Sequence, residues 1–361
     1  MRNTIGDNLT LTLFGESHGE YIGAVLDGIA SGIKVDEEFI NSQLAKRRPQ
    51  SKIETARVEL DPFIIASGVF NGYTTGAPLC ILIPNENVVS KDYESMKTIA
   101  RPSHADYVAH VKYHGFNDTR GGGHFSGRIT APLVAVGSIV LKALEQKGIY
   151  IGTHILKCGE VADDSFKGNV EEIIDLNKKS FPVIGDIENL IKEEILKYAK
   201  VGDSIGGILQ TEIIGLPVGL GEPWFSSVEG KLSNAVFSVG GVKGIEFGLG
   251  FGFSLGTGSV LNDAFEIVDG KIVTKTNNNG GINGGITNGM PVVFNTCVKP
   301  TPSISINQET VDFVDLKNVS LSIEGRHDPA IIRRIAVVID SITAIVIADL
   351  LVTKYGTDFL K

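Results

Sequence analysis

The sequence predicts an α+β fold built from an internal duplication, on three observations. Short apolar/polar alternations such as Thr10–Phe14 lie between glycine-rich turns and read as half-buried strands. Two long apolar stretches, 130–145 and 335–352, leave no polar face for water and read as helices buried in protein. Four short patterns from the first half recur in the same order in the second. Residues 19–26 are echoed by 202–209, Gly28–Ile33 by Gly215–Leu220, Gly72–Pro78 by Gly285–Pro291, and Gly127-Arg128 by Gly325-Arg326. At 361 residues the chain can be one large domain or two ordinary ones, and the echoes place pseudo-repeats at about 1–150 and 200–355.

In chain order, the strand at Thr10–Phe14 breaks at Gly15-Glu16-Ser17-His18-Gly19 and resumes at Ile22–Asp27. A Ser-His pair between glycines is either an exposed catalytic turn or a capped turn. Val35–Arg48 reads as a helix, with Asp36 as N-cap and Pro49 past its end. Lys46, Arg47 and Arg48 in its last turn serve either the helix dipole or a ligand. Ile64–Phe70 and Leu79–Ile83 read as strands around a glycine turn, and 160–200 is charged and helical in pattern. Lys299–Ser303 joins a lysine, hydroxyls and rigid prolines, suiting either a phosphate group or a stiffened strand exit. Asp328 reads as an N-cap or as part of an acid–base cluster with Arg326 and His327. Gly248–Gly252 lacks the spacing and the following helix that dinucleotide binding requires.

Chemistry concentrates between Arg101 and Arg128, which holds four of the seven histidines and the run Gly121-Gly122-Gly123. Histidine moves protons near neutral pH, arginine grips phosphate and carboxylate bidentately, and glycine lets backbone approach a ligand. The alternative is a histidine-rich surface loop. Arginine is absent from 129 through 325 while lysine continues, so the arginines cluster as a convergent anion site would require. The net charge of −9 argues against nucleic acid or anionic membrane as partner. Three widely spaced cysteines fit a reducing compartment and offer no zinc spacing, so no metal is expected. The N-terminal stretch has no apolar core of signal-peptide length, and Asp340 and Asp349 interrupt the last apolar segment. A soluble cytoplasmic protein is expected.

The motifs FGESHG (14–19), KRRP (46–49), RPSHADY (101–107), RGGG (120–123), DSIGG (203–207), LPVGLGEP (216–223), VKGIEFGLGF (242–251), NNGGINGG (278–285), KPTPSI (299–304) and GRHDP (325–329) run nearly end to end. In that order they resemble the chorismate synthase family. The resemblance implies a single domain over 1–361 with a variable segment at about 150–200, helices sandwiched between antiparallel sheets, a homotetramer, and 1,4-anti elimination of phosphate from 5-enolpyruvylshikimate 3-phosphate. It implies reduced FMN as a cofactor that is not consumed, supplied here by a separate flavin reductase. Carried over, His18 protonates the departing phosphate, His104 maintains flavin protonation, and Asp328 assists at flavin N5. Arg47, Arg48, Lys52, Arg101 and Arg128 would hold the substrate. His124, Phe125, Ser126, Gly240, Gly241, Gly284, Lys299, Pro300, Thr301, Pro302, Ser303 and Arg326 would hold the flavin. His124-Phe125 stands where many members have Arg-Ser, and Gly240 where Asn is common. The competing readings are an anion- or flavin-binding protein without turnover, marked by Phe125, and an NAD(P)-dependent oxidoreductase.

Overall fold

The computed structural model of the chain describes residues 2–49, 60–85, 98–323 and 328–361. Two five-stranded sheets carry the architecture. The first holds β1 (Thr4–Ile5), β2 (Thr10–Gly15), β3 (Tyr21–Asp27), β4 (Ile64–Ser67) and β5 (Leu79–Pro84), in the spatial order β1-β2-β3-β5-β4. The second holds β6 (Tyr150–Cys158), β7 (Val161–Ala162), β8 (Gly207–Ile214), β9 (Val242–Phe247) and β10 (Val292–Val298), in the order β9-β10-β8-β6-β7. Every pairing within both sheets is antiparallel.

The helices used below are α1 (Glu37–Arg47), α2 (Asp106–Lys112), α3 (Thr130–Gln146), α4 (Val170–Lys178), α5 (Glu188–Ala199), α6 (Val228–Val236) and α7 (Ile332–Tyr355). α3 packs on the first sheet, α7 on the second, and the two helices pack on each other, so the helical layer is sandwiched between sheets. Their crossing is close: a Cβ at Gly137 of α3 would lie 2.5 Å from the Ser341 Cβ of α7. Both helices are long and apolar enough to cross a membrane, yet both lie inside the fold. The most apolar stretch of α7 is wholly buried. These are core helices, apolar all round because protein surrounds them.

Two of the four echoed sequence patterns lead into matching strands, while Gly325-Arg326 of another lies outside the described residues. Residues 19–26 and 202–209 run into β3 and β8, the middle strands of the two sheets. Each pairs with the strand that follows the Gly-x-Thr echo, β3 with β5 and β8 with β10.

Local signals explain several boundaries. α1 starts where the Asp36 carboxylate accepts from the Phe39 amide at 2.9 Å, with Glu37 and Glu38 in the first turn and Lys46 and Arg47 in the last. The reading of 160–200 as helical needs correction. α4 and α5 are separated by a non-helical stretch that buries Phe181 and Val183. β6 just before it was not anticipated, since its run of buried residues from Ile151 to Ile155 shows no alternation. The N-cap reading of Asp328 is also corrected: α7 begins at Ile332, its N-cap is Ile331, and no side chain caps it.

Glu212 in β8 is 2% exposed, and its Oε2 has no hydrogen-bond partner among the described residues. Burial, with the charge of Glu172 adding, pushes its pKa up from 4.5 to about 7. Between these values the folded chain keeps a proton that the unfolded chain releases. The stability this group contributes is therefore full below pH 4.5 and is lost as pH rises to about 7. Glu212→Gln should raise stability at pH 8 by roughly 2 kcal/mol and change little at pH 4, read from denaturant melts at both pH values.

Candidate active site

The end of α1, the turns at 121–130, the 238–241 turn after α6, the 299–302 segment and the start of α7 enclose a cleft of about 1130 Å³. Single-ligand pockets run to roughly 1000 Å³, so this cleft can take two small molecules together.

The triple glycine shapes its floor. Gly121, Gly122 and Gly123 all have positive φ, at 58°, 88° and 55°. A Cβ at Gly121 would lie 2.2 Å from His18 Cε1, one at Gly122 would lie 3.6 Å from His104 Cε1, and one at Gly123 would lie 2.1 Å from the Asp118 carbonyl oxygen. The glycines thus let the backbone run directly beneath two imidazoles. Ser17 lines the cleft, and His18 is buried at 6% exposure. Ser17 Oγ donates to the Arg120 carbonyl at 3.1 Å, so at its 3.1 Å contact with His18 Nδ1 it is the acceptor. His18 then carries hydrogen on Nδ1, and Nε2 is the position from which a proton would be given up.

His104 lines the cleft from the loop before α2. Its Nδ1 lies 2.9 Å from Asp106 Oδ1, while Arg101 grips the same carboxylate through Nε at 2.8 Å and Nη2 at 2.7 Å. Burial alone would raise the Asp106 pKa, but bonds from Arg101 and His104 outweigh it and hold the carboxyl well below the usual range. An ionised Asp106 can only accept, so His104 Nδ1 carries the hydrogen and Nε2 is the reactive nitrogen. Arg101 therefore stands behind His104 and does not line the cleft. Of the other histidines in this stretch, His124 lines the cleft and donates from Nδ1 to the Gly15 carbonyl at 2.8 Å. His110 packs on Phe313, and His114 is exposed.

Arg47, Arg48 and Arg128 all line the cleft. Arg47 donates through Nη1 to Asp61 Oδ2 at 3.0 Å, and Arg128 Nη1 donates to Asp61 Oδ1. Arg48 Nη2 donates to the Leu60 carbonyl. Asp328 lines the cleft and accepts from Arg334 Nη1, while Arg334 Nε and Arg333 Nη1 donate to the carbonyls of Arg47 and Lys46. Part of the arginine clustering is therefore helix capping: α7 supplies donors for the last carbonyls of α1. Arg120 pairs with Asp118 outside the cleft.

Among the remaining candidates, Phe125, Ser126, Gly240, Gly241, Lys299, Pro300 and Pro302 line the same cleft. Lys299 Nζ donates to the Ser103 carbonyl at 2.6 Å, and burial followed by the nearby Lys243 pushes its pKa down. Thr301 and Ser303 do not line the cleft; the Thr301 carbonyl accepts from Ser204 Oγ at 2.7 Å. Gly284 lies elsewhere, exposed in the turn between Ile282–Asn283 and Ile286–Thr287. Lys52 and Arg326 lie outside the described residues. Asp61, Asp106 and Arg334 were not singled out in the sequence. Asp106 had a visible signal, an acid two positions after a histidine; Asp61 had none, because its partners are 14 and 67 residues away.

Among the described residues the cleft lining sets seven cations, Arg2, Arg47, Arg48, Arg128, Lys231, Lys299 and Arg334, against four carboxylates, Asp7, Asp61, Asp328 and Asp349. Seven minus four leaves +3 there on a chain of net charge −9. Such a field inside an apolar wall defines an enzyme-type site for a small polyanion, with imidazoles placed to move protons. Known proteins agree. The family model described as chorismate synthase matches residues 9–352. "Chorismate synthase" of Pyrococcus abyssi is 45% identical, over 95% of this chain and 96% of that one. "Chorismate synthase" of Thermococcus kodakarensis is 42% identical over 97% of each chain. The structure titled "Crystal Structure of Chorismate Synthase" superposes with a TM-score of 0.77 at 28% identity, covering 98% of this chain and 94% of that one. The chain belongs to the chorismate synthase family. It is a lyase of the shikimate pathway and aromatic amino acid biosynthesis, and its reaction is the 1,4-anti elimination of phosphate from 5-enolpyruvylshikimate 3-phosphate to give chorismate.

Proposed function

We propose that this cleft is the seat of that elimination and binds reduced FMN beside the substrate. The observation that carries the reading is the excess of three positive charges along the cleft lining, together with the oriented imidazole of His104 in that lining and that of His18 buried behind Ser17. The residues fit a flat anionic cofactor. Cβ atoms at Gly127 and Gly240 would meet nothing within 4 Å, leaving open backbone walls, and Lys299, Ser126 and His124 line the same space. Reduced FMN, when bound, supplies transient electron donation that eases allylic C–O cleavage and takes up the substrate hydrogen, with no net redox change.

The chain's own residues supply the rest. Arg47, Arg48 and Arg128 hold the phosphate and carboxylates of the substrate. His18 gives a proton from Nε2 to the departing phosphate. His104, fixed by Asp106, would hold a proton at Nε2, and Asp328, tethered to Arg334, would hold or accept one from the bound cofactor. Ile335, Val338 and Phe125 form an apolar wall that limits water.

A homotetramer accounts for large apolar side chains left exposed at 224–225 and 249–272, where Phe225 is 94% and Leu255 90% exposed. The three unpaired thiols suit the cytoplasm, where a separate flavin reductase would deliver reduced FMN. Anaerobic titration with reduced FMN and substrate tests the cofactor assignment. Saturable one-to-one binding that weakens in Lys299→Ala is expected. Absence of flavin binding in the folded protein would sink it.

A further inference from the structure

Asp61 stands at a position nothing in the sequence marked. It is 2% exposed, and its φ of 49° places it in the left-handed region that side chains seldom adopt. A buried carboxylate is costly unless it is paired. Here each oxygen is taken by a different guanidinium, Oδ2 by Arg47 and Oδ1 by Arg128. These arginines come from unrelated elements, the last turn of α1 and the short helix before α3. Neutral acceptors among the described residues add to the arrangement. Arg47 Nε donates to Thr130 Oγ1 at 2.9 Å and Nη2 to the Gly127 carbonyl at 3.1 Å. Arg128 Nε donates to Asn85 Oδ1 at 3.0 Å and Nη2 to the Pro84 carbonyl at 3.1 Å.

Two guanidinium groups so close repel each other, and the carboxylate held between them offsets the repulsion. We propose that Asp61 is a positioning residue for substrate binding, a fixed internal anion that sets the spacing and tilt of Arg47 and Arg128. It touches neither substrate nor cofactor and acts only through the arginines. A bidentate grip is geometric as well as electrostatic, so a guanidinium that swings loses affinity even though its charge remains. The opposite role is also definable. If Asp61 merely occupied the arginines until the substrate displaced it, removing its charge would tighten anion binding.

This inference rests on Arg47 and Arg128 being the holders of the substrate's anionic groups, and the test separates the two claims. Binding of inorganic phosphate and of 5-enolpyruvylshikimate 3-phosphate is measured by calorimetry, alongside steady-state kinetics, on Asp61→Asn, Asp61→Glu, Thr130→Val, Arg47→Ala and Arg128→Ala. Asp61→Asn should weaken both ligands by about tenfold to a hundredfold, with kcat/KM falling mainly through KM. Asp61→Glu should recover part of the loss. Thr130→Val frees Arg47 Nε and also removes the Thr130 Oγ1 bond to the Gly127 carbonyl at 2.7 Å, and it should weaken binding in the same direction by a few-fold, the scale of one or two neutral hydrogen bonds. Unchanged or tighter phosphate binding in folded Asp61→Asn, with Arg47→Ala still defective, would overturn the role of Asp61 alone. Wild-type binding by both arginine variants would overturn the substrate-holding reading and this inference with it. Should Asp61→Asn fail to fold, wild-type affinity in Thr130→Val would count against the proposal equally.

Discussion

Replacing His18 with asparagine is expected to lower kcat by about 10²- to 10⁴-fold, the usual worth of a positioned general acid. KM should change little, because the imidazole sits behind Ser17 and is not one of the cations that grip the substrate. Asparagine keeps a side-chain donor near the Nδ1 position, so the contact to Ser17 Oγ can persist while the acid is lost. The effect should therefore read as chemistry and not as collapse of the turn. Ser17→Ala is the matching control. It removes the acceptor that holds Nδ1 hydrogen at 3.1 Å and should cost about tenfold, one hydrogen bond's worth of orientation. Steady-state rates with saturating reduced FMN measure both. Turnover of His18→Asn within a few-fold of the parent would remove His18 from the mechanism.

Gly121→Ala should be nearly as damaging, by a different route. The residue sits at φ 58°, ψ 17°, where a side chain costs about 1–2 kcal/mol. The larger problem is the neighbour. The new methyl would lie 2.2 Å from His18 Cε1, 2.5 Å from Nδ1 and 2.8 Å from Ser17 Oγ, so the imidazole or the glycine backbone must move. We expect a folded protein with kcat down by about a hundredfold or more, the scale of a misplaced catalytic group. Gly122→Ala separates strain from displacement. Its φ is also positive, at 88°, but the added methyl would meet His104 Cε1 at 3.6 Å, an ordinary contact. It should lose similar stability and far less activity. Equal kcat values for the two variants would contradict the account of the triple glycine.

How much of this was legible in the sequence depended on whether the signal was local. α1 announces itself through Asp36, its acidic first turn and its basic end, and α7 through an apolar run too long for a strand. The histidine stretch was legible as a site because glycine, histidine and arginine crowd together in it. β6 was not, because a strand buried on both faces has no period-two pattern to read. The arginine clustering serves the fold as well as the cleft. Arg333 and Arg334 spend donors on the carbonyls ending α1, a tertiary contact across 287 residues that no local pattern shows. Gly284 is in its place in the motif yet does not line this cleft of the single chain, a separation that no local pattern shows. Asp61 shows the opposite limit, a residue central to the geometry and silent in sequence.

The central claim is that the cleft between α1, α3 and α7 carries out a redox-neutral elimination. An anaerobic assay with chemically reduced FMN and 5-enolpyruvylshikimate 3-phosphate, following chorismate and phosphate together, tests it most directly. Equal release of both products, with the flavin still reduced at the end, is the predicted result. Flavin and substrate binding without chorismate, or product formed only in step with consumption of reduced flavin or nicotinamide, would contradict it.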